Sequence, residues 1–390
     1  MHKQLILFGS PGTGKSYQID NEIAPELGID KKKRDSNVIK TVFHPEYKYS
    51  DFMGKLLPLS SGNSIIYRYY PGHFLQTLGK AYRGIIENNG EYYLLVIDEL
   101  NRGNAAAIFG SVFQLLDRDN DGWSSYGINI SDMEMVGLLN SMDYEASINE
   151  RGKISVDEIP FDKFIKELQK REKSHTNFNV DIVEDSLNQK KIYIPPNLSI
   201  VCTINTSDES IYYLDTAFKR RWDWKHIEAP SKSEITQFNK SGEASSDFEQ
   251  IKDVVLEIHK KNGEVINYNW CECIVGINRF IKDCSPSIKR IEDKQIGYWF
   301  IKPENNKVTL DKIKDKLMFY LWDSVFARDK KPLITLLEDK LKKKSVRLAT
   351  YTEFLQFTEE LLKYWYNHAP GIKEPEQDSE EELEIDIPGF

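Results

Sequence analysis

The chain has 390 residues, enough for two or three domains with real cores. Hydrophobic residues make up 40% and charged residues 29%, the balance of a folded globular protein, and a net charge of −9 excludes a general pull towards nucleic acid, so any DNA contact needs a local basic patch. Cys202, Cys271, Cys273 and Cys284 have neither a disulfide nor a paired metal spacing, Met-His-Lys-Gln before the first strand does not read as a signal peptide and no apolar run is long enough for a membrane helix, so a reduced, cytoplasmic protein without a leader is expected.

Leu5-Ile6-Leu7-Phe8 is a short apolar run before a glycine loop and reads as a buried parallel strand, with helix following from about Lys15. Lys31-Lys32-Lys33-Arg34 reads as a solvated turn. Residues 38–43 form the second strand, and a Tyr/Gly/Pro-rich stretch then runs to Pro71-Gly72. Helix resumes near His73 and leads into a third apolar strand over residues 92–97, followed by helix over 105–116. Residues 119–191 are polar and irregular, with some helix around 161–170. They are too long for an ordinary loop and read as an insertion with its own role. Residues 198–203 return to core strand.

Strands alternating with helices predict an α/β fold with a doubly wound parallel sheet over residues 1–228. From about 229 to 370 the chain is expected to form a smaller α-helical lid, with one strand-like piece at 298–301. Residues 371–390 are dense in acid and are expected to be a disordered tail.

Gly9-Ser10-Pro11-Gly12-Thr13-Gly14-Lys15-Ser16 matches the P-loop pattern between a strand and a helix. Glycines at these spacings let backbone amides turn in around phosphates, Lys15 reaches the β- and γ-phosphates, and the Ser16 hydroxyl suits Mg²⁺. Asp98 and Glu99 end an apolar strand, the place for a carboxylate holding Mg²⁺ and a general base polarising the attacking water. Asn205, just past the strand at 198–203, suits a residue orienting that water, though Asn is also a common turn residue. Arg220-Arg221 stands at a helix end, where it is either a solvated basic patch or an arginine finger for a neighbour's γ-phosphate. Two other patterns carry less. Asp117-x-Asp119-x-Asp121-Gly122 opens like a calcium loop, but its twelfth position is Ile128, so a turn is expected. Lys342-Lys343-Lys344-Ser345-Val346-Arg347 reads as a solvated helix face or loop.

Five segments in order then resemble the McrB-like AAA+ NTPases, motor subunits of modification-dependent restriction systems. Residues 98–104, DELNRGN, resemble that family's DEINRAN; residues 43–52 its FHxxYxYxDF; residues 204–210 its MNTADRS; residues 217–222 its ALRRRF; and residues 293–300 its lid motif ending IGHSYF. The resemblance covers about residues 4–330 and implies an AAA+ core with a helical lid. It also implies Asn205 as the sensor of water, Asp208 in its support, and Arg220 and Arg221 acting in trans in a hexameric ring. It implies a McrC-like endonuclease as partner and DNA reached through the complex. The stretch near 53–72 would be a helix insertion, and both insertions would line a pore or meet the partner.

Two departures matter. Glu209 stands where the signature has Arg, and the family's DNA-reading domain has no counterpart before the first strand, so target recognition is expected from another chain. The family commonly uses GTP and the wider AAA+ class ATP; with the altered signature, ATP is favoured here. No nuclease motif is evident. The competing functions are an AAA+ remodeller of proteins and a nucleotide-dependent scaffold with little turnover, the latter disfavoured by Glu99 and Asn205.

Overall fold

The computed structural model describes residues 2–61, 64–170, 178–206, 212–231, 246–260, 263–285 and 287–369. The chain divides into two compact units. One comprises the residues up to Phe8 with Lys15–Ile227; the other comprises Gly9–Gly14 with the chain from Glu228 onward.

The first unit is built on a five-stranded sheet. Its strands are β1 (Gln4–Gly9), β2 (Val38–Val42), β3 (Tyr93–Asp98), β4 (Leu198–Asn205) and β5 (Asp223–His226). The spatial order is β5-β1-β4-β3-β2. Leu5 pairs with Asp223, Leu198 with Tyr93 and Val38 with Leu94, all in parallel ladders. Alternation decides what each face covers. Ile6, Leu95, Ile97, Ile200, Cys202 and Ile204 enter the larger core, while Leu7, Leu94, Val96 and Val201 pack beneath Ile19, Ile23 and Leu27 on the other side. β4 is buried along nearly its whole length, as expected of a central strand covered on both faces. Because the strands are parallel, β1, β3 and β4 all end at one edge, where α/β sheets bind their ligands.

The insertion differs from its expected irregularity. It holds a helix at Asp132–Ser141, a three-stranded antiparallel sheet over Ala146–Ile148, Ile154–Val156 and Ile159–Pro160, and helices at Phe161–Gln169 and Val180–Gln189. Met135, Leu138, Phe164, Leu168 and Leu187 join the main core, so the segment is packed structure. Its short strands and acid-rich helices dilute the apolar signal. The stretch at 54–71 is a hairpin, Gly54–Ser61 against Ser64–Pro71. Tyr69 is buried, but Ile65, Tyr67 and Ile66 are 68%, 65% and 47% exposed, an apolar surface on an element that has little sheet to pack against. The helix expected over 105–116 is α-helical only at Ala105–Phe109; Gly110, at φ +50°, turns it into a 3₁₀ stretch to Leu116.

The second unit also carries a sheet that was not expected. Val255–His259 lies between Val265–Asn269, antiparallel, and Lys307–Thr309, parallel. The piece at 298–301 is a 3₁₀ turn, Tyr298–Phe300. Its core gathers Trp270, Ile274 and Ile277 of the Trp270–Asp283 helix with Leu317, Phe326, Phe354 and Trp365. Asp208, Glu209 and the acidic tail lie outside the described residues.

Candidate functional site

The loop after β1 turns through two glycines at positive φ, Gly12 at +75° and Gly14 at +82°, conformations that a side chain disfavours. Thr13 Oγ1 donates to Ser10 O at 2.9 Å, closing the loop on itself. Lys15 begins a helical run that passes through Ile19–Ile23 to Glu26, and it is 8% exposed, whereas Ser16 beside it is exposed.

At the end of β3 the two carboxylates are handled separately, and β4 supplies the handles. The Thr203 hydroxyl donates to Asp98 Oδ1 at 2.9 Å and accepts the backbone N–H of Glu99 at 3.2 Å. One side chain thus fixes the Asp98 carboxylate and the peptide that carries its neighbour. Glu99 has φ +55°, a left-handed conformation costing a non-glycine residue about 1–3 kcal/mol, of the kind that collects at functional sites. Asn205 Nδ2 donates to Glu99 Oε1, and Arg102 Nε pairs with Glu99 Oε2 at 3.2 Å. Asn101, 3% exposed, donates from its side-chain amide to Asn205 O at 3.2 Å, and its backbone carbonyl accepts Tyr212 N–H at 2.7 Å. Beneath them the Cys202 thiol is pushed well up, first by burial and then by the negative charge of Asp98, so it is an inert thiol.

Asn205, far along the sequence from the adjacent Asp98 and Glu99, is therefore brought to them at one sheet edge. Thr203, Asn101 and Arg102 belong to the same cluster and carried no assignment from sequence. The signal for Thr203 was a hydroxyl, one of two with Ser199, in a mostly apolar buried strand, where such a group has to find partners.

The two arginines part company. Both follow the Thr216–Lys219 helix, which Asp215 caps through a 2.6 Å bond from Phe218 N–H. The Arg221 side chain is 9% exposed, pairs with Asp117 at 2.5 Å, donates to Ala217 O at 2.8 Å, and lies 4.0 Å from the centre of the Phe113 ring. Arg220 is exposed. The acidic turn uses its carboxylates internally: Asp117 on Arg221, Asp119 on Ser125 at 2.5 Å, and Asp121 on the Trp123 N–H at 3.0 Å.

Within the first unit, Ser16 and Asp98 are hard oxygen donors of the type that suits Mg²⁺, and Lys15 is a buried cation of the type that suits phosphate. A parallel sheet in the order β5-β1-β4-β3-β2, with a glycine loop after β1 and acidic residues at the end of β3, defines a P-loop NTPase fold of the AAA+ class. No protein-family profile matches the chain. Among curated proteins it is similar to the type II restriction enzyme BsuMI component YdiS of Bacillus subtilis (strain 168), 27% identical over 347 residues, covering 83% of this chain and 79% of that protein. It is also similar to the type IV methyl-directed restriction enzyme EcoKMcrB subunit of Escherichia coli (strain K12), 24% identical over 226 residues. That match covers 58% of this chain and only 35% of the subunit. A solved structure of C. elegans PCH-2 aligns with 92% of this chain and 62% of its own at 14% identity, with a TM-score of 0.23, too loose to bear on function. The two restriction-enzyme relatives agree with the resemblance of the five sequence segments to the McrB-like AAA+ NTPases.

Proposed function

We propose that this chain is the ring-forming NTPase motor of a restriction complex and that its hydrolysis cycle licenses a partner endonuclease of the McrC kind. The observation that carries the hydrolysis is the pair of carboxylates at the end of β3, each oriented from β4 by its own partner. Both curated relatives are named as parts of restriction enzymes, which supports the setting.

In this reading the amides of residues 9–14 cradle the phosphates and Lys15 neutralises their charge. Ser16 and Asp98 hold Mg²⁺, which when bound supplies Lewis-acid stabilisation of the phosphoryl oxygens. Thr203 keeps the Asp98 carboxylate in one rotamer. Glu99 takes a proton from the attacking water while Asn205 holds the carboxylate and the water in line. Arg102 shares Glu99, so its guanidinium has to yield for the base to act. Arg220 reaches the γ-phosphate of the neighbouring subunit, and Arg221 shapes the segment that carries it. Asp208 supports Asn205. The motor works in the cytoplasm as a hexamer and meets DNA through the complex. Among the described residues no helix is long and apolar enough to cross a membrane.

Hydrolysis of ATP and GTP measured side by side, with and without DNA, tests this reading. We expect turnover with ATP preferred, and stimulation when DNA and the endonuclease are present. A preference for GTP of at least tenfold, about 1.4 kcal/mol, would reverse the nucleotide assignment. Glu99→Gln is expected to keep binding and lose turnover, and Lys15→Ala to lose most binding. Wild-type turnover in Glu99→Gln would remove Glu99 as the base.

A further inference from the structure

Two peptide planes of the P-loop are fixed from outside the loop. Gly297 N–H donates to Pro11 O at 2.9 Å, and Trp299 N–H donates to Gly12 O at 3.0 Å. In a trans peptide the carbonyl and the following N–H point in opposite directions, and among the described residues every peptide bond is trans. Holding the Pro11 carbonyl against Gly297 therefore turns the Gly12 N–H to the opposite side, and holding the Gly12 carbonyl against Trp299 does the same for the Thr13 N–H. These are donors of the kind a P-loop offers to phosphate. The approach leaves no room for a side chain: a Cβ on Gly297 would collide with the Gly12 carbonyl, and a Cβ on Gly12 with the backbone of Phe300.

The donating segment is itself held by two buried side chains of the Trp270–Asp283 helix. Asn278, 2% exposed, accepts Ile296 N–H on Oδ1 at 2.9 Å and donates from Nδ2 to Ile296 O at 2.8 Å. Trp270, fully buried, donates from Nε1 to Tyr298 O at 2.9 Å. Ser10 Oγ adds a third tie, donating to Glu292 O at 2.6 Å. The chain of bonds runs from the helix through residues 296–299 to the loop, all within the unit that contains Gly9–Gly14.

We propose that Asn278 and Trp270 are positioning residues for phosphate binding. They hold residues 296–299 so that two lid amides set the peptide planes of the P-loop and aim its N–H groups. This rests on the nucleotide reading above and goes beyond it by placing part of the affinity in a helix that touches no phosphate. Its signature is weaker binding with unchanged chemistry at saturation, since the reacting groups Asp98, Glu99 and Asn205 are untouched.

The test uses the full chain. Binding of Mg·ATP and Mg·GTP is measured by calorimetry in the Glu99→Gln background, and KM and kcat in the otherwise unaltered protein, for Asn278→Ala, Trp270→Phe and Cys273→Ala. Cys273 is fully buried in the same helix and serves as the control for general loss of stability. Asn278→Ala and Trp270→Phe are expected to weaken binding and raise KM about tenfold, the scale of one lost hydrogen bond, with kcat within about twofold. Cys273→Ala is expected to lower the melting temperature and leave both constants alone. Trp270→Phe keeps an aromatic ring in the core and removes the donor together with part of the ring's volume, a loss for which Cys273→Ala is the stability control, so it carries the test if Asn278→Ala fails to fold. Unchanged affinity in a folded Trp270→Phe overturns the proposal, as does an equal loss in Cys273→Ala at equal melting temperature. If Lys15→Ala binds as well as the unaltered chain, the nucleotide reading itself fails and takes the proposal with it.

Discussion

At the scale of single residues, one hydroxyl and two guanidinium groups separate positions that look alike in sequence. Thr203 touches both Asp98 and the Glu99 amide, so its removal should disturb catalysis while the two carboxylates stay. Thr203→Val, nearly isosteric, is expected to cut kcat by on the order of ten- to a hundredfold, and Thr203→Ser to restore most of it, the scale for a group that orients a metal ligand, the role proposed for Asp98. A steady-state assay on purified protein checks both variants, and equal rates in Thr203→Val and the unaltered chain would dismiss the role. Arg220 and Arg221 are adjacent, yet Arg221 is locked onto Asp117 and Phe113 inside its own subunit. Arg221→Ala should lower stability by about 2–4 kcal/mol, because it leaves Asp117 unpaired and removes a desolvated cation–π contact. Arg220→Ala should leave the urea midpoint unchanged and reduce turnover by about a thousandfold or more. Denaturation curves and assays on the two variants separate the roles; a shared profile would contradict the division.

At the scale of elements, what was legible in sequence was what is local. The run from Leu5 to Ser16 announces strand, loop and helix within a dozen residues, and Asp98-Glu99 ends an apolar strand whose neighbours need not be known. Thr203 was illegible as a site residue because its meaning lies in β3, about a hundred positions away, and the strand register alone brings them together. The insertion reads as irregular in sequence because its strands are two or three residues long, too short for a period to show. The strand at Val255–His259 did leave a signal, Leu256 and Ile258 alternating with half-exposed residues, which the surrounding charge obscured. Since Phe164 of the insertion is buried in the main core, Phe164→Ala should cost about 3–5 kcal/mol of overall stability in a single cooperative transition. A separate early transition confined to the insertion, seen by hydrogen exchange, would show instead that it folds on its own.

At the scale of the whole molecule, the account turns on whether the active site is completed by a neighbour. Arg220 is exposed at the end of a capped helix turn, with no ion pair among the described residues, and it suits delivery of charge to another chain's nucleotide. The direct measurement mixes Arg220→Ala subunits with Lys15→Ala subunits and follows nucleotide hydrolysis against mixing ratio, with co-assembly confirmed by native mass. Each variant alone should be nearly inactive. Mixed rings contain interfaces that pair an intact P-loop with an intact Arg220, so activity should return and peak at intermediate ratios. Proven co-assembly with no recovery, or full turnover by a strictly monomeric preparation of the unaltered chain, would contradict the ring motor.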